Sequence, residues 1–298
     1  MNIDSIYVSC YQYDLRLAKI LVASIRDWYE DIPIALIKDV RYGSFDTSEL
    51  EDAYNVSVFK AGVFGWGFGK LEPLFLPERK KFLILDADTL MVGPILEDLT
   101  KFDDDFIVSG EEPPPDFVTQ AYFDLSLLSK IDSEFKFPGF TFNTGQVVAT
   151  SGILKRKDFE PYVDWAPIPH VLQADIFKCG EQGLLNYMLM KKSSEGVLSL
   201  KRSHFMNLPD DPSLNVRQEI IAQGNYKFII HWCSKRGDLA IPRLTETPRS
   251  DLLLHFEQRY YQKIFLGKIK CWLGNQTNYW VTVTKRLVKK FLGYEGAL

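Results

Sequence analysis

The chain has 298 residues, 46% hydrophobic and 25% charged, and a net charge of −4, so it can bury a core in one large α/β domain or two smaller ones and has no nucleic-acid character overall. No stretch approaches the ~18–20 uninterrupted apolar residues of a membrane-spanning helix, and the N-terminus has no basic lead of the kind that opens a signal peptide. Four scattered cysteines, Cys10, Cys179, Cys233 and Cys271, form no CxxC pair and fit reduced thiols in a cytoplasmic protein.

In chain order, strand and helix signals alternate. Ile3–Cys10 reads as a strand. Asp14 is placed to cap a helix whose apolar positions, Leu17, Leu21, Ile25 and Trp28, recur every three or four residues. Ile32–Ile37 and Val56–Phe59 read as further strands around a short polar helix over Asp46–Tyr54. A Gly-aromatic loop, GVFGWGFGK (62–70), leads into a short helix from Lys70 to Leu76. Repeated strand–helix–strand units predict a mostly parallel sheet with helices on both faces, and ligands of such sheets bind beyond the carboxyl ends of the strands.

The next strand, FLILD (82–86), is apolar throughout and then meets two aspartates, Asp86 and Asp88. In an extended chain, residues i and i+2 point the same way, so the two carboxylates would project side by side. They repel unless a cation or a shared proton lies between them; a turn cap is the alternative reading. Further on, FPGFTFNTGQVVAT (137–150) predicts a loop leading into a strand. CGEQGLLNYMLMK (179–191) predicts a helix start with Glu181 in its first turn. YKFIIHWCSKRGD (226–238) predicts a strand that delivers His231 at its end.

Four ordered motifs, LDADT (85–89), FNTG (142–145), EQGLLN (181–186) and HW (231–232), resemble those of GT-A-fold glycosyltransferases, most closely glycosyltransferase family 8, the glycogenin and bacterial lipooligosaccharide galactosyltransferase type. The resemblance covers roughly residues 1–240. It implies a GT-A fold, a Rossmann-like mostly parallel sheet with helices on both faces. It also implies a divalent cation, Mn²⁺ or Mg²⁺, held by Asp86, Asp88 and His231, which stabilises the departing diphosphate of a UDP-sugar donor. By the same resemblance, Ser9, Cys10 and Tyr11 would touch uracil and ribose, Asp86 would also reach the ribose, and Lys70 would contact the nucleotide. Asn143, Glu181 and Gln182 would serve the sugar and the chemistry. The chain departs from the family pattern after His231, where Ser234 and Gly237 stand in place of the expected Gly and Lys; Lys235 or Arg236 is the substitute cation for the diphosphate. Glu181 stands where the family usually has Asp. Trp66 and Phe68 could stack on a base or pack in the core, and Glu111 or Glu112 could reach the pocket or remain solvated.

Residues 256–298 carry eight basic side chains against Glu257 and Glu295, a balance of +6 that leaves −10 for residues 1–255. This shift sets a boundary between a transferase domain over 1–255 and a C-terminal helical tail over 256–298. As a helix, 278–292 would place Trp280, Thr284, Leu287, Val288, Phe291 and Leu292 on one face and Lys285, Arg286, Lys289 and Lys290 on the other. Such a helix suits either an anionic membrane surface or a docking face on the catalytic domain. The resulting expectation is hexose transfer, with retention, to a saccharide or glycolipid acceptor by a cytoplasmic enzyme that can sit peripherally on a membrane. Two alternatives stay open: a haloacid-dehalogenase-type phosphatase with Asp86 as nucleophile, against which three strands precede the motif, and a non-catalytic carbohydrate-binding protein on a transferase scaffold.

Overall fold

The computed structural model describes residues 2–65, 67–233, 244, 247–266 and 269. Strand β1 (Ser5–Tyr11) buries Ile6, Val8 and Cys10 in strict alternation. Helix α1 (Leu15–Arg26) follows a short 3-10 turn, and β2 (Ile34–Asp39), α2 (Ser48–Tyr54) and β3 (Val56–Gly62) complete the first half. A 3-10 segment, Phe68–Phe75, stands where the sequence predicts an ordinary helix, with Pro73 inside it removing one backbone donor. Strands β4 (Lys81–Asp86) and β5 (Thr89–Met91) flank the aspartate pair. Then come β6 (Phe106–Glu111), α3 (Pro115–Ala121), β7 (Thr141–Thr150), α4 (Glu181–Ser194), β8 (Leu200–Arg202), β9 (Met206–Asn207) and β10 (Ile229–His231).

The main sheet has seven strands in the order β8-β6-β7-β4-β1-β2-β3. Every pairing is parallel except those of β7, which runs antiparallel to β4 and β6. The expected mostly parallel α/β architecture is therefore what the chain adopts. A small sheet, β9-β10-β5, lies beside it. Strand β4 is buried at all six positions, because Leu83 and Leu85 join the core on one side of the sheet while Phe82 and Ile84 join the core on the other.

Helix α1 buries Leu17, Leu21 and Ile25 as its periodicity predicts, but also Ala18, Ile20, Val22 and Ala23. Asp14 precedes this helix without a side-chain cap hydrogen bond, so the predicted cap does not form. Part of the extra burial comes from a helix over residues 250–266 that contributes Leu252, Leu253, Phe256, Tyr260 and Ile264 to the same core. Tyr260 stacks on Tyr54 with ring centroids 4.9 Å apart and planes 2° from parallel, and Arg16 holds Glu257 at 2.6 Å. A stacked pair of this kind adds ~0.5–1.5 kcal/mol to the burial of its rings. The boundary placed after residue 255 in the sequence falls within this helix. The predicted tail helix over 278–292 lies outside the described residues.

Candidate metal and active site

Strand β4 ends on Asp86, directly opposite Ser9 of β1. The chain does not continue extended, as the sequence reading supposed, but turns at residues 87–88 before β5. Ala87 N–H donates to the Ser9 carbonyl at 3.2 Å, and the Thr89 hydroxyl donates back to the Asp86 carbonyl at 2.7 Å, closing that turn. Asp86 and Asp88 thus converge through a tight turn rather than through strand alternation.

The third group arrives by strand pairing. Antiparallel β10 sets His231 opposite Thr89, and the next residue, Trp232, donates its N–H to the Asp88 carbonyl at 3.0 Å. His231 Nε2 lies 3.2 Å from Asp88 Oδ1. One ligand atom from each of Asp86, Asp88 and His231 falls within 4.8 Å of the others, and all three side chains are buried. Two carboxylates and an imidazole are a donor set suited to Mn²⁺ or Mg²⁺, so these residues fit a divalent cation. Gly145 makes room for the ring: a Cβ there would overlap the His231 imidazole.

On the other side of Asp86 sits Lys70, whose Nζ lies 3.1 Å from Asp86 Oδ1 and 2.7 Å from Glu181 Oε1. Burial alone would lower the lysine pKa. The two carboxylates outweigh it and hold the ammonium above its usual value. Thr144 adds its hydroxyl, 3.3 Å from Lys70 Nζ and donating to Glu181 Oε1 at 3.0 Å. Glu181 Oε2 is buried and without a hydrogen-bond partner among the described residues. The Gly-aromatic loop closes over it. Gly67 has a φ of 72°, and a Cβ on it would collide with the Glu181 carboxylate. Asp86, Asp88, Glu181 and Lys70 are all buried, and together they carry a net −2 that one divalent cation would neutralise.

Asn143 is half-buried at the start of β7 and accepts the Gly145 N–H on Oδ1 at 2.7 Å. Gln182 donates Nε2 to the Ala121 carbonyl at 3.1 Å, which leaves its Oε1 on the opposite edge of the amide. Asn186, to which the sequence reading gave no role, ties these segments together. It accepts from Phe142 N–H at 2.9 Å and donates Nδ2 to the carbonyls of Phe142 and Gln182 at 2.8 and 2.9 Å. Its position one helical turn after Gln182 was the signal for that role. Glu111 ends β6 and is half-buried; burial raises its pKa against the opposing pull of His204 and His231. Glu112 instead faces solvent and pairs with Arg202 at 2.6 Å.

Of the residues the sequence assigns to a nucleotide, Ser9 and Tyr11 are half-buried at the end of β1. Cys10 turns its thiol into the core, where burial, and then Asp14, push its pKa far up, so the backbone is what this residue offers a ligand. Tyr11, Tyr13 and Tyr42 form a ring cluster with centroids 5.7–5.9 Å apart, and Tyr13 and Tyr42 are exposed. Phe68 is buried and packs edge-on against Trp165 at 6.1 Å, which settles it as core rather than as a stacking platform. Trp66, Lys235 and Arg236 lie outside the described residues.

No protein-family model matches the chain, and no curated protein matches it. Solved structures do match in fold. The WbbM bifunctional glycosyltransferase in its apo form is 12% identical with a TM-score of 0.55, over 88% of this chain and 52% of that one. The glycosyltransferase GlyE of Streptococcus pneumoniae TIGR4 is 13% identical with a TM-score of 0.53, over 90% of this chain and 64% of that one. Its apo form is 14% identical with a TM-score of 0.51, over 91% and 64%. The chain therefore spans about half to two thirds of the length of these structures, and it shares their fold.

Proposed function

We propose that the protein is a glycosyltransferase that moves a hexose from a UDP-sugar to a saccharide or glycolipid acceptor, with a divalent cation at Asp86, Asp88 and His231. The observation that carries this reading is the buried cluster of those three side chains, set at the carboxyl end of the central strand in a fold shared with glycosyltransferases. A cation held there supplies charge stabilisation to a departing diphosphate without a proton. The protein's own groups do the rest. Lys70 pairs with Asp86 and Glu181 and holds both carboxylates in place beside the proposed cation. Glu181 offers the unpartnered Oε2 to a sugar hydroxyl, a buried acceptor that discriminates strongly against a sugar lacking that hydroxyl. Gln182, whose Nε2 is tied to the Ala121 carbonyl, would present Oε1 to the reacting carbon if transfer proceeds with retention. Ser9, the Cys10 backbone and Tyr11 hold the nucleotide, Asn143 takes an acceptor or sugar hydroxyl, and Lys235 assists the diphosphate.

The basic, aromatic sequence beyond residue 266 continues from an exposed stripe of Tyr261, Phe265 and Ile269, which supports peripheral contact with an anionic membrane. The phosphatase reading is not favoured: Asp86 ends the fourth strand and is bound by Lys70 through both oxygens, at 3.1 and 3.2 Å. The test is metal-dependent release of UDP from a panel of UDP-sugars, by wild type and by Asp88→Ala. Phosphatase activity on sugar phosphates, with no UDP released from any donor, would refute the proposal.

A further inference from the structure

Strand β7 turns successive residues to opposite sides, and the last two residues of FNTG use both. Gly145 faces His231, whereas Thr144 faces Lys70 and Glu181. Thr144, Lys70 and Glu181 are all buried. An ammonium can only donate, so Thr144 Oγ1, 3.3 Å from Lys70 Nζ, is the acceptor in that contact. The threonine proton is then directed at Glu181 Oε1, 3.0 Å away. Lys70 reaches the same carboxylate oxygen directly at 2.7 Å. Both donors converge on Oε1, and Oε2 is left buried with no hydrogen-bond partner among the described residues.

The terminal torsion of a glutamate is broad, so an ion pair with one lysine does not by itself fix the plane of the carboxylate. A second donor on the same oxygen does. We infer that Thr144 is a positioning residue for donor-sugar selection: its hydroxyl, itself held by Lys70, fixes the Glu181 carboxylate so that Oε2 accepts one particular hydroxyl of the sugar. The inference rests on the reading of Glu181 as a sugar-binding residue. A buried oxygen without a partner is costly, and a sugar hydroxyl donating to Oε2 offsets that cost on binding. A sugar lacking the hydroxyl does not.

The test measures kcat/KM for metal-dependent UDP release from a UDP-sugar and from its monodeoxy analogues, using the full chain as wild type, Thr144→Val, Thr144→Ala and Thr144→Ser. In wild type, loss of one sugar hydroxyl should cost far more than loss of any other. Thr144→Val and Thr144→Ala should shrink that penalty roughly tenfold or more, by weakening the parent sugar and not the analogue. Thr144→Ser, which keeps the hydroxyl, should restore it. The penalty is a ratio of two donors on one protein, so a variant that is only less well folded leaves it unchanged. An undiminished penalty in Thr144→Val and Thr144→Ala overturns the inference alone, as does a Thr144→Ser that behaves like Thr144→Val. A wild type indifferent to every sugar hydroxyl overturns it together with the sugar role of Glu181. A wild type that releases no UDP overturns it together with the transferase reading.

Discussion

Lys70 Nζ and Glu181 Oε1 meet at 2.7 Å in the interior, with Asp86 3.1 Å away on the other side of the ammonium. A lysine shared between two buried carboxylates is costly to remove, because both acids then lose their common partner in the interior. Removing one member of a buried pair typically costs about 3–5 kcal/mol. Lys70→Met is expected to lose stability of that order in urea unfolding at pH 7. A loss below about 1 kcal/mol would show that the network is solvated rather than buried.

Gly67 and Gly145 make different predictions although both lack room for a Cβ. Gly67→Ala combines a left-handed backbone, φ 72°, with a clash against Glu181, so it should destabilise by roughly 1–3 kcal/mol. Glu181→Ala in the same chain should recover part of that loss, which a double-mutant cycle measures. Gly145→Ala displaces the His231 ring and should mainly abolish stabilisation by Mn²⁺ in thermal melts.

Divalent cation should raise the stability of wild type by mass action, about 2.7 kcal/mol at a hundred times the dissociation constant. Asp88→Ala and His231→Ala are expected to lose this shift, and Lys70→Arg to retain it. An equal Mn²⁺ shift in Asp88→Ala would place the cation elsewhere.

Glu111 has a folded-state pKa raised by burial above 4.5. The folded protein then binds the extra proton between the unfolded and folded values, so stability falls as pH rises through that window and stays lower above it. Without added metal, Glu111→Gln should therefore melt higher than wild type at pH 7, and the gain should vanish below about pH 4. A constant gain across both pH values would assign the effect to packing instead.

Helix 250–266 supplies Phe256, Tyr260 and Ile264 to the core. Truncation after residue 255 should leave an unstable protein, since a buried aromatic alone is worth about 3–5 kcal/mol on conversion to Ala. Truncation after residue 269 should keep the wild-type melt and UDP affinity while lowering binding to anionic liposomes. Unchanged liposome binding would refute the membrane role of the tail.

Much of this was legible because a buried strand announces itself. FLIL before Asp86 fixed the strand and its end, and the alternation of elements fixed the sheet. His231 could be placed at a strand terminus for the same reason. What the linear sequence hid were relations made by the third dimension. The aspartates converge by a turn, which period-two reasoning cannot anticipate. Lys70 is buried between acids that lie 16 and 111 residues downstream. The glycine of FNTG is fitted to a ring 86 residues away. Phe68 and Asn186 owe their roles to packing partners rather than to any local pattern. The charge shift after residue 255 was real in composition, but burial follows the apolar face of a helix that crosses it.

The pairing of His231 with Thr89 has a consequence for when the protein can work. The first two members of the acidic cluster leave the ribosome 143 residues before the third. The short strand β10 must find one register against β5 across more than a hundred intervening residues, and a slip of a single residue would turn His231 to the opposite face. Long-range pairings of this kind form late in folding. The nascent chain therefore carries an acidic half-site over 143 of its 298 residues of synthesis, and the third side chain joins it only after β10 has docked.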